Sequence, residues 1–364
     1  MPDFIPGLKL SRLYYEQAVR PLLNTQFPGI RHTAALIGAG SEVLGFDTEM
    51  SSDHCWGPRL QLFLHDSNYH ECSEQLRDAL STMLPTAFLG YSTEYSLVPG
   101  EHVPEEQGRQ HLERSSRGVQ VFTPLEFANH YLGIDLSRDL TPAHWLACPQ
   151  QLLRSFTSGE IYHDGVGLQQ FRDRFTYYPH DIWLYMMAAG WTRIGQEEHL
   201  MGRAGYVGDE IGSALIGARL VRDVMQLCFL MERVYAPYPK WFGSAFAKLK
   251  CGSDFAPLLK AALSAETWQQ RESRLVAAYE IMASMHNALK LTPNLPSKTD
   301  YFFDRPFRVI HLHGEFAAAI CKQIEDPRVQ KLSTRRLVGN IDQISDSTDL
   351  LSDADRRQKL REMY

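Results

Sequence analysis

Apolar positions along this chain follow two different periods. Over residues 1–140 short strand-like runs alternate with helix-like stretches. His32 to Ile37 is a brief apolar run that enters the glycine turn Gly38-Ala39-Gly40. Arg59 to Leu64 alternates and predicts a strand, as does Gly118 to Phe122. Between them Cys72, Leu76, Leu80 and Leu84 recur four apart, predicting an amphipathic helix stopped by Pro85. Thr123-Pro124-Leu125-Glu126 sets a capping residue, an N1 proline and an acid three positions on, which predicts a helix ending at Gly133. Beyond residue 140 strand signals nearly vanish. Thr141-Pro142 starts a helix by the same logic. His180 to Ile194, Gly208 to Tyr235 and Ala265 to Leu291 carry apolar residues at helical spacing. In the second of these, Ile211, Leu215, Ala218, Met225 and Phe229 mark the expected core face. Ser345 to Asp355 is polar and predicts a loose tail. The expected organisation is α+β: a strand-containing domain over residues 1–140, then an all-helical domain over 141–364.

Composition narrows the function classes. The chain has 364 residues, 44% hydrophobic and 22% charged, enough for a core without disulfide or metal staples. Its net charge of −6 speaks against a protein that binds nucleic acid by neutralising phosphates. No apolar run reaches the ~20 residues of a membrane helix, and Met1-Pro2-Asp3-Phe4 does not begin a secretory signal. The six cysteines form no Cys-x-x-Cys pair, which suits free thiols in a reducing cytoplasm. A small-molecule substrate is therefore expected, with no nucleic acid and no membrane.

The chemistry concentrates in Gly38-Ala39-Gly40-Ser41-Glu42-Val43-Leu44-Gly45 and, after it, Ser52-Asp53-His54-Cys55-Trp56-Gly57. A strand that ends in a glycine turn with free amides, followed by a helix starting at Ser41, would cradle phosphate oxygens. Asp53 precedes the second strand. If that strand starts early, residues 53 and 55 share a face, where two carboxylates would hold Mg²⁺.

Gly40-Ser41 followed by Asp53-x-55 resembles the nucleotidyltransferase signature. The longer strings resemble an uncharacterised branch of that superfamily, a domain-of-unknown-function family whose pattern includes Asp-His-Asp-Trp-Gly-Pro-Arg. Tyr177-Tyr178-Pro179, Gly208 to Ser213, Glu232 to Tyr238, Lys240-Trp241-Phe242-Gly243 and Asp304-Arg305-Pro306-Phe307 resemble it too. The domain order also resembles the aminoglycoside nucleotidyltransferases. The resemblance implies a nucleotidyltransferase-type first domain with a mixed sheet. It implies an NTP and Mg²⁺ held at Gly40, Ser41 and Asp53, with Lys240 reaching a phosphate or acceptor. The implied reaction is nucleotidyl transfer to a small hydroxyl or amino acceptor.

The departure is Cys55, a neutral thiol where the family pattern has a second carboxylate. The third acid is expected on the strand of Gly118 to Phe122, where the alternation offers Gln120. Asp47 and Glu49 are nearby acids that could substitute. The catalytic candidates are accordingly Asp53, His54 and Cys55, with Asp53 as the metal ligand. Two alternatives stand beside transfer: the same cleft recruited for a nucleotide-independent cyclisation, dehydration or isomerisation, and a non-catalytic small-molecule-binding protein. Elsewhere, His311-x-His313 resembles half a metal site if its segment is a strand. Arg219 and Arg222 are neighbours on one helix, as solvated charge or as an anchor for substrate. Trp183, Tyr185 and Trp191 read as core.

Overall fold

The computed structural model describes residues 3–53, 56–94 and 116–364, with the backbone alone at Asp53. The chain forms two compact units. The first is Met1–Leu140 with Gln150–Thr176 and Ser347–Lys359; the second is Thr141–Pro149, Tyr177–Asp346 and Leu360–Tyr364. The fold is α+β, with a mixed sheet in the first unit and a helical second unit.

The sheet contains β1 (His32–Leu36), β2 (Leu60–Leu64), β3 (Val119–Phe122) and β4 (Glu160–Asp164), in the order β3-β2-β1-β4. β1 runs antiparallel to β2 and β4, whereas β2 and β3 are parallel. Helices cover both faces, so the inner strands are apolar on both sides. Leu60, Leu62, Leu64, Val119, Val121 and Ala34 form one face. They pack on Tyr14 of helix α1 (Gly7–Tyr14), on Tyr15, Val19 and Leu22, and on Leu76 and Leu80 of α2 (Asp66–Met83). On the other face Phe63 and Phe122 each meet Phe127 of α3 (Pro124–Leu132), ring centroids 5.4 Å apart. Phe156 of α4 (Gln150–Thr157) continues that layer. The α3 cap is as the sequence predicts: the Thr123 side chain accepts from the Glu126 N–H, and Gly133 closes the helix in the left-handed conformation.

In the second unit the long helices α5 (His180–Tyr206) and α6 (Glu210–Met231) lie along one another, and α7 (Trp268–Ala288) packs against both. Trp183, Tyr185 and Trp191 are in its core. Among the described residues no helix is long and apolar enough to cross a membrane.

Three expectations fail here. Strands do not stop near residue 140: β4 completes the sheet edge, and its sequence EIYHD hid it because none of its residues is fully buried. The polar tail is not loose. Thr348–Ser352 and Ala354–Leu360 are helices, and buried Arg357 donates to the carbonyls of Leu351 (2.6 Å) and Leu132 (3.2 Å). The predicted core face of α6 is wrong at its start. Ile211 is 78% exposed and Leu215 66%, while Ser213 and Gly217 face inward. Buried Arg271 of α7 lies against that face: its Nη1 donates to Ser213 Oγ at 2.7 Å, and a Cβ on Gly217 would collide with its stem. Small residues admit the arginine there, and hydropathy does not register them.

Candidate functional site

The connection from β1 to β2 carries the motif residues. At its start the Ile37 N–H donates to Gln61 Oε1 (3.1 Å) and the Gly38 N–H to the Ser155 carbonyl (3.0 Å). The turn is therefore tied to β2 and α4, and Gly38 is not one of the free amides expected of a phosphate cradle. No helix begins at Ser41 either. Residues 41–45 make a single turn, closed by Phe46 N–H to the Ser41 carbonyl and Gly45 N–H to the Glu42 carbonyl, both 3.0 Å. Gly45, at φ +69°, is the left-handed residue that ends it.

Asp53 is not on a strand. It ends a 3-10 turn, Glu49–Asp53, seven residues before β2 begins at Leu60. The turn is fixed by Ser51, whose Oγ accepts the Thr48 N–H (2.7 Å) and donates to the Thr48 carbonyl (2.9 Å). These side-chain bonds favour a turn over extension. His54 and Cys55 lie outside the described residues, as does the Asp53 side chain.

The structure also brings together Glu42, Arg59, Asp47 and Trp56. Arg59 donates from Nε (3.1 Å) and Nη2 (2.5 Å) to Glu42 Oε1, and from Nη2 to the Ala39 carbonyl (2.6 Å). The pair seats against Gly40, where φ is +133° and a Cβ would collide with Arg59 Nη2 and Glu42 Oε2. Only glycine serves at that position. Glu42 is 1% exposed, and its Oε2 is buried without a hydrogen-bond partner. Asp47 Oδ2 accepts the Gly7 N–H (2.7 Å), at the start of α1, and the Trp56 Nε1–H (3.2 Å). Trp56 in turn stacks on Phe4 (5.6 Å) and meets the edge of Tyr91 (5.1 Å). Glu42, Arg59 and Trp56 all stand in the motif strings, but their roles depend on contacts between positions up to 52 residues apart, such as Phe4 with Trp56.

Gln120 of β3 pairs in register with Gln61 of β2, and β1, β2 and β3 carry no acid. Among the described residues no group of three or more His, Cys, Asp or Glu is arranged to hold a metal.

The remaining candidates fall in the second unit. Lys240 is exposed, with Nζ 5.0 Å from the Trp241 ring. Arg219 forks onto Glu197 (2.9 and 2.6 Å), and Arg222 donates to the Asp342 carbonyl. His311 and His313 do not share a strand face, because their segment is a turn and not a strand. His311 is buried and stacks on Trp191 (6.0 Å), whereas His313 is exposed. Burial pushes the His311 pKa down to about 4 and the His286 pKa likewise to about 4. Glu198, buried beside them, accepts the backbone N–H groups of Ile310 (2.7 Å) and His311 (3.0 Å). Desolvation still raises its pKa to about 8.

No curated protein and no solved structure matches the chain. Residues 145–242 match a domain of unknown function (DUF4037), a segment that takes in β4, α5 and α6 and leaves out the β1–β2 connection.

Proposed function

We propose that the protein transfers a nucleotidyl group from an NTP to a small hydroxyl or amino acceptor, on a nucleotidyltransferase-type first unit. The observation that supports this reading is the β1–β2 connection. It joins two antiparallel inner strands of a mixed sheet, and residues 42–53 carry four carboxylates: Glu42, Asp47, Glu49 and Asp53. Hard oxygen donors in that number fit a divalent cation. Asp53 would hold Mg²⁺, and Gly40 and Ser41 would lie along the β- and γ-phosphates. A bound Mg²⁺ supplies polarisation of the phosphoryl oxygens and charge neutralisation. The acceptor atom attacks the α-phosphorus and releases its proton to water, the bond from the α-phosphorus to the oxygen that bridges to the β-phosphate breaks, and pyrophosphate leaves. The chain's own part is positioning: Gly40, locked against Arg59, fixes the path of the turn, and Asp47 and Trp56 fix the approach to Asp53.

Calorimetric titration with MgATP tests this. Wild type should bind, and Asp53→Ala should lose binding while its melting curve stays unchanged. A folded Asp53→Ala protein that binds MgATP like wild type would remove the reading. A second reading, nucleotide-independent chemistry in the same cleft, is favoured by the glutamines at 61 and 120 and by Cys55. If wild type binds no MgATP but Cys55→Asp does, this second reading replaces the first.

A further inference from the structure

The geometry points to Glu42 and Asp47 as the pair of carboxylates that holds the divalent cation, in place of the acids missing at position 55 and on β3. This inference rests on the nucleotide reading above and names the ligands of that same site.

The two acids share an arrangement. Each has one oxygen held by donors from elsewhere in the chain and one left open. Glu42 Oε1 takes both Arg59 donors, while Oε2 is buried and unpartnered. Asp47 Oδ2 takes the Gly7 and Trp56 N–H groups, and no hydrogen bond reaches Oδ1 among the described residues. Carboxylates that bind metals are held in this way, with outer partners orienting the ligand oxygen. A buried acceptor with no partner calls for an explanation, and a ligand is one.

Both acids also converge on Gly7. Its N–H is bound to Asp47, and a Cβ on it would collide with Glu42 Cβ and Trp56 Nε1. Any side chain at position 7 would push Glu42 and Trp56 away from the start of α1. Arg59 leaves the group of Glu42, Asp47 and itself with a net charge of −1, so a divalent cation is attracted rather than repelled. Carboxylate oxygens suit Mg²⁺ and Mn²⁺.

The probe is Mn²⁺ alone, followed by the loss of its free-ion spin-resonance signal as protein is added. Wild type should bind, and Glu42→Gln and Asp47→Asn should each weaken binding at least ~10-fold. Glu74→Gln, on the exposed side of α2, should bind like wild type. If Glu42→Gln melts early, Glu42→Asp decides, since it keeps the charge for Arg59 but moves the open oxygen. It should also bind Mn²⁺ more weakly. Unchanged Mn²⁺ binding in folded Glu42 and Asp47 variants overturns the inference. If MgATP binding in those variants is also normal but falls in Asp53→Ala, the nucleotide reading survives without it. A wild type that binds neither Mn²⁺ nor MgATP overturns both.

Discussion

Two buried glutamates, one in each unit, show how burial alone fails to separate structure from chemistry. Glu42 is 1% exposed and Glu198 3%. Glu198 spends both oxygens on backbone amides of Ile310 and His311, with no cation paired to it among the described residues. Its environment favours the neutral acid. Glu42 is paired with Arg59 through one oxygen and keeps the other open. A carboxyl group whose acceptors are all used by its own fold is scaffolding. One that is paired with an arginine through a single oxygen, with the other to spare, can take a ligand.

The largest effect expected from breaking this contrast is on Glu198. Glu198→Ala leaves two buried amides unpaired and opens a cavity, which should cost about 3–5 kcal/mol in denaturant unfolding. MgATP binding by the folded fraction should not change. Glu198→Gln keeps the shape and one acceptor but sets its NH2 against the second buried N–H, and should cost about 1–3 kcal/mol. A loss as large as that of Glu198→Ala would show that the glutamine oxygen holds neither amide.

Gly40→Ala comes next, at about 2 kcal/mol, because a positive φ and a collision with Arg59 act together. Guanidinium melts would read the loss, and an unchanged midpoint would show that the Arg59–Glu42 pair is loosely held.

Stability against pH sharpens the comparison further. Below 6.5 the unfolded chain protonates histidines that His311 and His286 keep neutral down to about 4 in the fold, so stability should rise from about pH 4 to 6.5. Glu198 works in the opposite sense. The fold holds its proton up to about 8 while the unfolded side chain releases it near 4.5, so it lowers stability progressively across that window. Above 6.5 only the Glu198 effect remains of the three. Melts should therefore decline between pH 6.5 and 8, and Glu198→Gln should flatten that decline. A decline unchanged in Glu198→Gln would assign it to other groups.

The smallest effect is expected at Leu215, where exposure predicts a change within about 0.5 kcal/mol for Leu215→Lys. A larger loss would restore the core face that the sequence suggests.

Much of the fold was legible in sequence because its signals are local. The α3 cap needs only Thr123, Pro124 and Glu126, and β2 needs only its own apolar run. β4 was not legible, since a half-buried edge strand has no strong pattern. The inward face of α6 was hidden because Ser213 and Gly217 are buried by Arg271 from another helix. At the candidate site the strings around Gly40 and Asp53 fall within the β1–β2 connection. They did not reveal the Arg59–Glu42 pair or the bond from Gly7 to Asp47, which exist only once α1 and β2 are in place.

The most direct measurement is a Mn²⁺ titration of Glu42→Gln beside Glu198→Gln, each checked for an intact melting transition. The account predicts that Glu198→Gln binds like wild type and that Glu42→Gln is weaker by at least ~10-fold. Equal binding by both variants and wild type would contradict it.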